Sequence, residues 1–179
     1  MTAIEHTQRW LSNFVIGLSL CPFAKLPFEQ QKIRYVPEQS DFLEDMVASS
    51  IREWNYLMSH PEVETTLLIV THGLKDFEAY LDALAILEEA LQVAQLEGVF
   101  QIASFHPDYQ FAGTQMDDVS NYTNRSPYPM FHFLREKSVQ WAVASHPDTE
   151  AIPDQNIARL EALGMEKTKQ RLHDLDRAD

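Results

Sequence analysis

The chain is poor in cysteine, glycine and basic residues: one Cys, five Gly, and 14 Lys plus Arg among 179 residues. A single cysteine, Cys21, excludes an internal disulfide framework and any cysteine-rich zinc module. Against the 14 basic residues stand 27 Asp and Glu, a formal net charge of −13, and no Lys/Arg cluster interrupts it. A field of that sign repels nucleic acid and anionic lipid, so neither is expected as a partner. No run approaches the ~20 apolar residues of a membrane span. The opening "MTAIEHTQRW" also lacks the basic-then-apolar order of a signal peptide, so a cytoplasmic location is expected. Missing as well are a G-x-x-x-x-G-K-[ST] loop, a G-x-G-x-x-G turn and a G-x-S-x-G elbow. Their absence disfavours the usual nucleotide sites and serine-hydrolase chemistry, and leaves the cofactor unknown.

What is present is 45% apolar residues, enough to fill the core of one domain spanning 1–179. Leu11, Phe14, Val15 and Leu18 recur at helical spacing and predict a helix from Thr7 to Leu20, ended by Pro22. "KIRYV", residues 32–36, alternates like a strand. Ser40 or Asp41 would then cap a helix carrying Leu43, Met46, Val47, Ile51, Trp54 and Met58. "TTLLIV" is β-branched and apolar throughout, the pattern of a strand covered on both faces. Asp76 caps a third helix that closes before Gly98, and "VFQIASF", residues 99–105, reads as the third strand. This alternation predicts an α/β fold: a small, largely parallel three-stranded sheet with helices packed on it. A helix from about Pro127 to Ala144 and another from about Pro153, interrupted at Gly164, follow.

Residues 107–129 show neither helical nor strand periodicity, yet Tyr109, Phe111, Tyr122 and Tyr128 give them enough apolar surface to be ordered. Ordered loops of this length are commonly functional, and this one leaves the carboxyl end of a strand, where α/β sheets bind ligands. His106 is the candidate general acid or base and Asp108 the carboxylate that would orient it. His132, placed on the following helix, is a third catalytic candidate. Arg125, Asn121, Asn124, Tyr109 and Arg135 are the candidate substrate-binding residues, because arginine's planar fork suits a small anionic group. A loop-anchoring role for the same polar residues is the plainer alternative. His106, Asp108 and His132 are also the residue types of a two-histidine, one-carboxylate metal site, but the chain has too few strands for the barrels that carry it, and no metal is assigned. Cys21, flanked by Leu20 and Pro22, reads as a buried structural thiol.

The stretches "LCPFA", "QIASFHPDYQF" and "NYTNRSPYPMFHFLRE" together resemble an uncharacterised bacterial family known only as a domain of unknown function, over about Trp10 to Gly164. The resemblance implies no activity, cofactor or catalytic residue. The residues themselves point to a small-molecule enzyme, a hydrolase or group transferase, using a His/Asp acid–base pair on an anionic or polar substrate. A non-catalytic ligand- or protein-binding module with Tyr109, Tyr122 and Tyr128 on its surface is the alternative. Whether the histidines face a concave pocket separates the two.

Overall fold

The computed structural model describes residues 1–145 and 148–176. The first helix begins at Ala3 rather than Thr7, because Thr2 and Glu5 form a reciprocal capping box at its N-terminus. α1 (Ala3–Arg9) runs on into a π-helix over Trp10–Ile16. The wide turn brings Gly17 so close to the Asn13 carbonyl that a Cβ there would collide with it, which is why glycine occupies the position. α2 (Lys25–Glu29) leads into β1 (Ile33–Glu38), α3 (Leu43–Ser59), β2 (Thr65–Val70), α4 (Phe77–Val93) and β3 (Phe100–Phe105). Asp76 caps α4 as expected, accepting from the Ala79 N–H at 2.9 Å. The α3 cap falls instead at Phe42, whose N–H donates to Ser40 Oγ at 3.1 Å.

The fold is α/β, but the sheet has four strands and is mixed. The helix expected from Pro127 is a strand, β4 (Met130–Arg135), and only from Glu136 does α5 (Glu136–Ser145) begin. β4 lies between β2 and β3 and runs antiparallel to both, giving the order β1-β2-β4-β3. The physical reason lies in its two faces. Met130, His132 and Leu134 point one way, Phe131, Phe133 and Arg135 the other, and a strand buried on both sides shows no polar alternation. His132 therefore sits in the middle of a sheet and not on a helix.

Each face has its own core. Leu68, Val70, Phe131, Phe133 and Phe100 pack under α3 and α4, where Met46, Trp54, Leu57, Tyr80 and Leu87 are fully buried. Leu67, Ile69 and Met130 on the opposite face meet Trp10, Phe14 and Val15 of the π-helix, Tyr122, and Leu160 of α6 (Ile152–Leu163). α7 (Met165–His173) follows Gly164 and packs Leu172 on the same cluster. Among the described residues no helix is long and apolar enough to cross a membrane.

Candidate functional site

The segment after β3 is ordered by its own polar groups. His106 is fully buried; its Nδ1 accepts the Asp108 N–H at 3.0 Å, so the neutral ring carries its proton on Nε2 and donates it to the Leu74 carbonyl at 2.9 Å. Asp108 thus meets His106 through its backbone amide. Burial lowers the proton affinity of the imidazole, opposed by the Leu74 carbonyl and the charges of Asp108 and Asp76. The rings of Phe77 and Tyr80 lie 5.2 and 5.1 Å from it. Tyr80 pins the point where the loop leaves the sheet: its hydroxyl donates to the Met130 carbonyl at 2.8 Å and accepts the Phe105 N–H at 3.1 Å.

The other loop candidates are bound in the same manner. Asn121, fully buried, accepts from the Phe111 N–H and the Thr114 hydroxyl and donates to the Gln115 carbonyl. Asn124 donates to the Ser104 carbonyl at 3.1 Å, and the Tyr109 hydroxyl lies 3.2 Å from Ser104 Oγ. Arg125 donates to the Tyr109 and Met116 carbonyls and stacks on Tyr122 at 4.4 Å. Its own carbonyl accepts the Trp10 indole N–H at 3.0 Å, which ties the loop to the π-helix. Arg135 belongs to another place: its guanidinium donates to the Leu57, His60 and Val63 carbonyls, closing the end of α3. The structure brings His106, Asp108, Tyr109, Asn121, Asn124 and Arg125 into one bonded loop, and leaves His132 and Arg135 outside it. Among the described residues no group of three or more His, Cys, Asp or Glu is placed to hold a metal ion.

A cavity of about 680 Å³ opens on the sheet face that β3 and β4 share with the π-helix, between the Cys21–Pro27 segment and α5. Its wall is mainly apolar, with Trp10, Leu67, Phe105, Leu134, Val139 and Trp141 in the lining. The pleat explains the composition. Leu67, His132 and Ala103 are register partners across β2, β4 and β3, and so project to one face; Thr65, Leu134 and Gln101 form the next row. His132 is the imidazole of this cavity. It is partly buried, its Nε2 is wholly buried without a hydrogen-bond partner, and burial pushes its pKa down to about 4. Neutral at physiological pH, the ring can accept or donate one hydrogen bond.

Cys21 lines the same cavity. Burial pushes its thiol up, opposed by the backbone N–H groups of Phe23 and Ala24. Lys32 and Lys137 are further lining residues that no sequence pattern singled out. Lys32 immediately precedes β1 and Lys137 follows the end of β4, and the pairing of Ile33 with Thr65 and of Thr65 with Leu134 puts those two points at the same end of the sheet.

No curated protein and no solved structure matches the chain. A family model described as "protein of unknown function (DUF1415)" matches residues 2–170, and the chain belongs to that family.

Proposed function

We propose that the protein binds a small molecule in the cavity, with the apolar part of the ligand against the sheet and one polar group hydrogen-bonded to His132. The observation that carries this reading is the orphaned imidazole nitrogen in the middle of an apolar wall. A polar atom sealed without a partner costs ~1–3 kcal/mol, and native structures keep few of them. The cavity volume falls within the ~300–1,000 Å³ of small-molecule sites, which are apolar hollows with a few polar groups.

An acid–base enzyme centred on His106 and Asp108 would first have to free an imidazole whose two nitrogens both hold backbone groups. Binding at His132 leaves those two backbone hydrogen bonds intact and breaks none at Nε2. At His132 the low basicity that comes with burial favours hydrogen bonding over proton abstraction near neutrality. The reading is tested with Nile red, an uncharged apolar dye, titrated into the wild type and into an Ala103→Trp variant that fills the cavity from β3. One dye per chain in the wild type and none in the variant is the expected result. Equal binding by both would move the site elsewhere and end this reading.

A further inference from the structure

The charges around the cavity run against those of the molecule. The chain carries 27 acidic to 14 basic residues, yet the charged residues of the lining are Lys32, Arg135 and Lys137 against one acid, Glu64. Arg135 is committed to the carbonyls at the end of α3. Lys32 and Lys137 are exposed, and among the described residues neither has a carboxylate partner. Both lie at one end of the sheet. Lys32 precedes Ile33, the register partner of Thr65, and Thr65 is in turn the partner of Leu134; Lys137 follows Arg135 in the first turn of α5. The rows Thr65–Leu134–Gln101 and Leu67–His132–Ala103 lead inward from that end to Phe105.

We infer that the occupant of the cavity is an amphiphilic anion, a carboxylate on an apolar chain, with its head at the rim held by Lys32 and Lys137 and its tail lying along the sheet. This rests on the cavity reading above and adds the sign of the ligand's charge. Unpaired lysines at the mouth of an apolar hollow give a carboxylate its counter-charge where its tail leaves water. A cation meets the same two lysines as repulsion, with Glu64 the one acid to offset them. The long-range field of a −13 chain opposes anions generally, so selection for one has to come from groups at the rim.

The test is calorimetric titration of the wild type with dodecanoate, dodecanol and dodecyltrimethylammonium, each below its micellar concentration. Dodecanoate is expected to bind one per chain, about tenfold tighter than the alcohol and more so than the cation, as two partly screened charge contacts allow. The gap should close at about 0.5 M salt, where such contacts are screened. A Lys32→Gln/Lys137→Gln double variant, altered only at exposed positions, should bind dodecanoate no better than dodecanol while its dodecanol affinity is unchanged. Equal affinity of the wild type for dodecanoate and dodecanol, or full preference retained by the double variant, overturns the anionic ligand and leaves the cavity reading standing. Failure of all three to bind also overturns it, and the Nile red titration then decides the cavity reading independently.

Discussion

Two histidines in this molecule make opposite demands on stability. His106 satisfies a backbone donor and a backbone acceptor, so truncating it strands the Leu74 carbonyl and the Asp108 N–H. His106→Ala should cost ~1–3 kcal/mol. His132 satisfies nothing through its Nε2, and His132→Leu, of similar size and without the orphan, should raise stability by about 1–2 kcal/mol while weakening ligand binding, as functional sites commonly exchange stability for use. Urea unfolding of both variants beside the wild type checks the pair. A large loss for His132→Leu would show that the ring has a structural task after all. Both residues were legible as candidates in the sequence, His106 from its place at the end of a strand beside Asp108 and His132 as a histidine within an apolar run read as helix. What separates them is the partner list, and no spacing of residues encodes a Leu74 carbonyl reaching a ring 32 positions away.

At the level of elements, those with a clean period or a β-branched run were legible: β1, β2 and β3, α3 and α4, and the break at Gly164. β4 was not, because "MFHFLR" between covered faces places apolar residues on both sides of the strand, and such a run reads as helix or strand equally well. The cavity was illegible on other grounds. Trp10, Cys21, Leu67, Phe105 and Leu134 come from separate elements and meet only once β4 has taken its place in the sheet. A polar link secures the far edge of that sheet. Arg34 of β1 donates to Glu53 of α3 at 2.7 Å and lies over the Tyr56 ring at 4.0 Å. The Glu53 side chain is only 7% exposed, so Arg34→Ala leaves a nearly buried carboxylate without its cation. Part of the arginine is in solvent, which reduces the loss below that of a fully buried pair, to about 2 kcal/mol. Thermal unfolding of Arg34→Ala beside Arg34→Lys measures it, with lysine expected to recover only part because it lacks the two-point fork.

For the whole molecule, the two buried imidazoles set a direction for acid sensitivity. Both have folded-state pKa values below the ordinary 6.5, so the unfolded chain binds their protons first as pH falls. Stability from them is complete above about pH 6.5 and declines below it, by up to about 1.4 kcal/mol per pH unit for each histidine, continuing for His132 to about pH 4. Protonation also relieves the mutual repulsion of a −13 chain, an effect of opposite sign that moderate salt suppresses. Urea midpoints at pH 7.5, 6.0 and 5.0 in added salt should fall steadily, and less steeply in His132→Leu; a flat profile would contradict the assignment. The strand order carries a different consequence, in time. β3 borders only β4, which is made after it, and β2 pairs with β4 across a sequence separation of about 65 residues. On the ribosome, a chain that has emerged only as far as the loop after β3 has β1 and β2 side by side and a third strand with nothing to bond to. The sheet and the core under α3 and α4 are completed together when residues 130–135 arrive to fill the gap, so a nascent chain stalled short of them exposes the edges of β2 and β3 to any other strand it meets.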